Sequence, residues 1–221
     1  MLDKNSELSI AERKRPKGEI KFKTTLTEEQ KEAKRQIYEN KVVALHGVAG
    51  TSKTFVAIHV ALNMFFKKEI SKIYILRPAV SIEDIGFLKG SAEDKLQYYF
   101  LPIIHNMYEM YDKVKINKMI EEKDIEILPL GFIQGITVKD FLIVDEAENV
   151  TQLQMKMVLS RLGKTGRIVF TGDTDQVALK DYQKSGFKRL IDLDGQIEDF
   201  KAFELLENYR DPFVRKILKM Y

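Results

Sequence analysis

Lys41-Val42-Val43-Ala44-Leu45-His46-Gly47-Val48-Ala49-Gly50-Thr51-Ser52-Lys53-Thr54 is the stretch from which the fold is read. Its first six residues are a short apolar run of the kind buried in parallel strands. A turn of small residues follows, and from Lys53 to about Lys67 the chain stays apolar over a helical length. Strand, small-residue turn and helix open a βα unit. Outward from it, KIYIL (72–76), IEIL (125–128), FLIV (141–144), RIVF (167–170) and AFELL (202–206) are further strand candidates. Thr27 caps a helix expected over 28–40, with Glu28 and Glu29 at its positive end. Helices are also expected near 93–112 and 152–162. This alternation predicts an α/β fold with a mostly parallel sheet.

The 221 residues carry 36 Lys and Arg against 33 Asp and Glu, a formal net charge of +3. That average hides an asymmetry. Residues 13–23, RKRPKGEIKFK, hold a local +5, which leaves −2 for the rest of the chain. With Pro16, Gly18 and no helical periodicity, this run is expected to form an N-terminal arm (residues 1–24) ahead of a single domain (25–221). Such an arm is either a solvated terminus or a contact for phosphates. No stretch approaches the roughly 20 apolar residues of a membrane span, and the N-terminus has no apolar signal core. A cytoplasmic protein without a membrane partner is the expectation. The chain has no cysteine and 3 histidines, His46, His59 and His105, which excludes disulfides, thiol nucleophiles and Cys-built zinc sites. A metal is therefore expected on oxygen ligands.

Gly47 to Thr54 sits where a strand meets a helix, the context in which such a string cradles phosphates with backbone N–H groups. In that reading Lys53 reaches the β- and γ-phosphates of a nucleotide, Thr54 ligates Mg²⁺, and the small residues let the backbone approach the anion. Ser52 stands where the usual pattern has glycine, so a positive φ there carries a cost. Taken alone, the string is also compatible with an ordinary βα turn. The second element is FLIVDEAEN, where a strand delivers Asp145 and Glu146 to the edge at which open α/β sheets bind ligands. Asp145 is the expected Mg²⁺ partner, and Glu146 the group that orients or deprotonates the attacking water. The third is TGDTDQV (171–177), whose Asp173 and Gln176 enter the same crevice from another strand.

Taken together these residues resemble the PhoH-like family of P-loop ATPases, itself similar to the first motor domain of superfamily 1 helicases. The resemblance rests on LTEEQ (26–30), GVAGTSKT (47–54), RPAV followed by GFLKG (77–90), DEAENVTQLQMKM (145–157), TGDTDQV and NYRDPFVRKIL (208–218). It implies a three-layer, RecA-like P-loop NTPase that binds ATP through Gly47, Val48, Ala49, Gly50, Thr51, Ser52, Lys53 and Thr54, with Gln30 reading adenine. It further implies that Asp173 and Gln176 couple the γ-phosphate to movement, that Arg210 is an arginine finger, and that Arg77 lies near the nucleotide or at a subunit contact. Three departures stand out. Ser52 replaces glycine, Glu148 occupies the glutamine position of a DEAQN-type motif, and the family's Arg-Gly-Arg appears as Gln134-Gly135-Ile136. The short form and these variations resemble bacteriophage-encoded members.

The leading expectation is a Mg²⁺-dependent ATPase acting on RNA or single-stranded DNA through the basic arm. With length for one motor core, the chain is expected to assemble as a homo-oligomer, a hexameric ring being one form, with Arg210 acting in trans. A nucleotide-dependent binding module with negligible turnover and a P-loop kinase are the alternatives.

Overall fold

The computed structural model describes residues 22–78, 92–179, 185–218 and 220. The stretch 1–21, with most of the basic run, and the stretch 79–91, with GFLKG, lie outside the described residues. In chain order the elements are α1 (Glu28–Glu39), β1 (Val42–His46), α2 (Lys53–Phe66), β2 (Ile73–Arg77), α3 (Ala92–Met110), α4 (Lys113–Glu121), β3 (Ile125–Pro129), β4 (Phe141–Val144), α5 (Gln152–Leu159), β5 (Arg167–Gly172), α6 (Gly186–Ile191), β6 (Phe200–Glu204) and α7 (Pro212–Leu218). Among the described residues the strands form one sheet in the order β3-β2-β4-β5-β1-β6, every pairing parallel. Each expected strand is present. The last one begins and ends two residues earlier than expected, because the chain leaves the sheet after Glu204 to cross the loop that follows β1.

The period-2 alternation of the strands sets the layers. Val43 and Leu45 of β1, Ile73 and Ile75 of β2, and Phe141 and Ile143 of β4 pack with α1, α2, α3 and α4 in one core. Ala44, Leu76, Leu142, Val144, Ile168 and Phe170 face the opposite way, onto α5 and α6, in a second core. Helices on both faces of a parallel sheet make a three-layer α/β domain. Helix α2 is buried along most of its length, from Val56 to Phe66, so the residues at its N-terminus are carried on a rigid element. Thr27 closes a capping box on α1: Gln30 N donates to its hydroxyl and Thr27 N donates to Gln30 Oε1 at 3.1 Å.

Of the expected arm, Phe22 and Lys23 touch the body. Phe22 stacks on His59 at 3.7 Å between ring centroids, and Lys23 N donates to the Met110 carbonyl at 3.0 Å. Among the described residues no helix is long and apolar enough to cross a membrane.

Candidate functional site

Parallel strands direct their carboxyl ends to one edge of the sheet, and β5 stands between β1, which leads into the glycine-containing loop, and β4, which leads into the acidic pair. The loop 47–52 starts with Gly47 at φ +141 and turns again at Gly50, φ +94. Side chains are excluded at both. A Cβ on Gly47 would lie 2.3 Å from the Leu205 carbonyl oxygen, and one on Gly50 would lie 2.7 Å from Arg210 Cγ. Ser52 then adopts φ 61 and ψ 23, the left-handed conformation its sequence position implied, at a cost of about 1–2 kcal/mol for an L-residue. Its hydroxyl accepts a hydrogen bond from Gln30 Nε2 at 2.8 Å. Lys53 folds back over the loop, donating to the carbonyls of Gly47 at 2.7 Å and Val48 at 2.9 Å. Burial holds its pKa below the usual lysine value, against the attraction of Asp173, Glu148 and Asp145. Thr51 is fully buried and donates through its hydroxyl to the Val48 carbonyl.

Asp145, at the end of β4, is the meeting point of three elements. Its Oδ1 accepts from Thr54 Oγ1 of α2 at 2.6 Å and from Thr171 Oγ1 of β5 at 2.8 Å. Thr54 and Asp145, two oxygen side chains side by side at the head of a phosphate-type loop, are residues that would suit a hard cation such as Mg²⁺. Glu146 is turned into the cleft by its own left-handed backbone, φ 51 and ψ 43. There it pairs with the Arg77 guanidinium, whose Nε is 3.7 Å from Asp145 Oδ2. Arg77 also donates to the Tyr99 carbonyl at 2.9 Å and lies over the Tyr99 ring.

The end of β5 is stitched to the acidic turn. Asp173 N donates to Glu148 Oε2 at 3.1 Å, Ser185 Oγ donates to the Glu148 carbonyl at 3.0 Å, and Ala178 N donates to Asn149 Oδ1 at 2.8 Å. Glu148 is 5% exposed, and its pKa is pushed up to about 7, first by burial and then by the negative charges of Asp145 and Asp173.

A cleft of about 290 Å³ gathers Ala49, Lys53, Thr54, Arg77, Asp145, Glu146, Glu148, Asp173, Gln176 and Arg210, with Pro102, Ile103 and Asn106 of α3 as its far wall. Ten residues from both halves of the sequence are thus within reach of one small ligand. Gln30 is not in this lining. Its amide accepts from Thr27 N and donates to Ser52 Oγ, which ties it to the loop.

Arg210 is expected from the sequence to reach a neighbouring copy; in the structure it lines the cleft of its own chain. The cause is a strap, residues 205–210. Leu205 N donates to the His46 carbonyl, Asn208 Nδ2 to the Ala49 carbonyl at 3.0 Å, and Tyr209 N to the Gly50 carbonyl at 3.0 Å. Leu206 N and Glu207 N donate to the Glu29 carboxylate, and the Tyr209 hydroxyl meets Thr27 Oγ1 at 3.0 Å. Sequence reasoning passed over Glu29, Thr171, Asn208 and Tyr209 as site residues. Only Thr171, one strand step beyond Phe170 and two before Asp173, had a readable pattern.

The family model described as PhoH-like protein matches residues 22–221. A PhoH-like protein of Mycobacterium tuberculosis is 36% identical over 186 residues, covering 82% of this chain and 53% of that protein. One from Bacillus subtilis is 34% identical over 196 residues, covering 87% and 61%. The chain therefore spans between about half and about three fifths of the length of these relatives. Among solved structures it is similar to the Sulfolobus solfataricus SWI2/SNF2 ATPase core in complex with dsDNA (TM-score 0.49, 16% identity, 86% of this chain and 46% of that one). It is also similar to the Pif1 helicase from Candida albicans (TM-score 0.45, 15% identity, 89% and 43%).

Proposed function

From the premise that this chain belongs to the PhoH-like family, we propose that it is a Mg²⁺-dependent ATPase whose turnover is coupled to a nucleic-acid strand. The observation that carries the reading is the Thr54–Asp145 contact at 2.6 Å, which joins the phosphate loop to the acidic strand in one cleft with Glu146. In this reading Lys53 leaves the Gly47 and Val48 carbonyls for the β- and γ-phosphate oxygens of ATP. Thr54 and Asp145 would hold Mg²⁺, whose positive charge would offset the charge that builds up on the phosphate oxygens. Glu146 parts from Arg77 and takes a proton from water as the water oxygen bonds to the γ-phosphorus and the bond to the β-phosphate oxygen breaks. Arg77 and Arg210, both in the cleft, balance the leaving charge. Gln176 orients the water beside them.

The polyanion reading rests on the sequence of residues 13–23, whose +5 is the largest local charge of the chain. Coupling of one motor core to a strand is best served by several copies, so we propose a homo-oligomer in which each cleft uses its own Arg210.

The test is ATP hydrolysis by the full chain alone, with single-stranded RNA and with single-stranded DNA. Stimulation by one of the polymers is expected. Replacing Arg13, Lys14, Arg15 and Lys17 with glutamine should remove it and flatten the salt dependence of strand binding by about 3 in log–log slope, the value for four lost phosphate contacts on a single strand. Hydrolysis that no polymer changes would leave an ATPase without a nucleic-acid role. An unaltered salt slope would move the contact away from the basic run.

A further inference from the structure

Gln30 is in the first turn of α1, 5% exposed, yet it is tied to the phosphate loop 22 residues later in the chain. Both ends of its amide have fixed partners: Oε1 accepts from Thr27 N at 3.1 Å, and Nε2 donates to Ser52 Oγ at 2.8 Å. Ser52 is the residue that stands in for glycine, and it is held at φ 61. Its side chain makes no cap hydrogen bond to α2, so the hydroxyl is free to accept from Gln30. A glycine takes a left-handed turn without steric penalty, whereas serine is drawn toward the right-handed region unless something holds it. Relaxation at Ser52 would re-aim the backbone N–H groups at the head of α2 and the start of the Lys53 side chain, the groups on which a phosphate chain depends.

We infer that in this chain Gln30 is a positioning residue for the phosphate loop, holding the left-handed turn at Ser52 through the serine hydroxyl, so that it governs affinity for the phosphate chain whatever base is attached. The inference rests on the reading of residues 47–54 as a phosphate loop. It makes Gln30 and Ser52 a matched pair: serine is tolerated because the glutamine braces it, and glycine would need no brace.

The experiment is calorimetric titration of the full chain with ATP, GTP and inorganic tripolyphosphate, each with Mg²⁺. Gln30→Ala should weaken all three by similar factors, about tenfold for the loss of one ordinary hydrogen bond. Ser52→Ala deletes the same bond without touching the α1 cap, and should reproduce the loss for tripolyphosphate even where Gln30→Ala folds poorly. In the Ser52→Gly background, whatever its own affinity for tripolyphosphate, adding Gln30→Ala should change that affinity by less than about twofold, as a double-mutant cycle on one contact requires. Unchanged tripolyphosphate affinity in both Gln30→Ala and Ser52→Ala would overturn the inference and leave Gln30 a reader of the base at most. So would a Gln30→Ala loss of the same size in the Ser52→Gly background. A wild-type chain that binds neither nucleotide nor tripolyphosphate overturns the phosphate-loop reading itself, a failure distinct from the other two.

Discussion

Glutamine in place of Glu146 is expected to lower ATP turnover by roughly 10²–10⁴-fold, the usual worth of a positioned general base, while ATP binding is kept or tightened. Among the described residues, Glu146 is the one carboxylate at the cleft that is both turned inward by a left-handed backbone and without a hydroxyl donor tying it to the loop; Asp145 is held by Thr54 and Thr171, and Glu148 by the Asp173 amide. Its partner is Arg77, so the exchange also cancels a charge that the guanidinium spends on the protein. Arg77 keeps its anchor on the Tyr99 carbonyl and its place over that ring, and in the Glu146→Gln chain its charge is left for the γ-phosphate. Tighter ATP binding than ADP binding should follow. Single-turnover phosphate release and a fluorescent-nucleotide titration separate the two effects. Lys53→Ala, by contrast, should lose binding itself. If Glu146→Gln leaves both phosphate release and affinity as they were, hydrolysis was absent from the start, and the chain is a nucleotide-dependent binding module.

The parts of this site that could be read in the sequence are those built from consecutive residues. A parallel strand running into Gly47 and Gly50, and another delivering Asp145 and Glu146, follow from apolar runs and the residues at their ends, and the structure brings them into one cleft. The positive φ of Ser52 was legible too, because the loop's geometry dictates it regardless of the residue present. What escaped depends on contacts distant in sequence. The strap 205–210 is fixed by carbonyls of His46, Ala49 and Gly50 and by Glu29, and no local pattern in LENYR announces those partners. The commitment of Gln30 to Ser52 is likewise a tertiary fact. Helix α4 was missed for a different reason. In KVKINKMIE only Ile116 and Met119 are buried, one helical turn apart, so its periodicity is too sparse to stand out in nine residues. The Asp112 cap, which accepts from Lys115 N at 2.9 Å, was its readable sign.

Glu148→Gln is expected to stabilise the chain at pH 8 by about 3 kcal/mol and to do almost nothing near pH 4.5. The carboxyl is 5% exposed, with Asp145 and Asp173 as negative neighbours, and its pKa rises from 4.5 to about 7 on folding. A carboxyl whose pKa is raised in the folded chain favours folding fully while both states are protonated, below about pH 4.5, and that contribution is lost as pH climbs through 7. Above 7 the folded chain holds a buried anion that the unfolded chain would hydrate. Glutamine keeps an oxygen that can accept from Asp173 N, which donates to Glu148 Oε2 at 3.1 Å, and carries no charge at any pH. For a domain of this size, about 3 kcal/mol corresponds to a melting point higher by roughly 6–12 °C. His59 titrates in the opposite sense. Its pKa is depressed to about 4 by burial, so its contribution is present above 6.5 and is lost as pH falls toward 4. That group is common to both chains and cancels when their melting points are subtracted. Thermal melts of the wild-type and Glu148→Gln chains from pH 5 to pH 8.5 should therefore diverge as pH rises toward 7 and hold a constant separation above it. A difference that is flat across this range would show that Glu148 is not ionising against the fold, and a Glu148→Gln chain less stable at pH 8 would mean the carboxylate is held by a cation rather than stranded among acids.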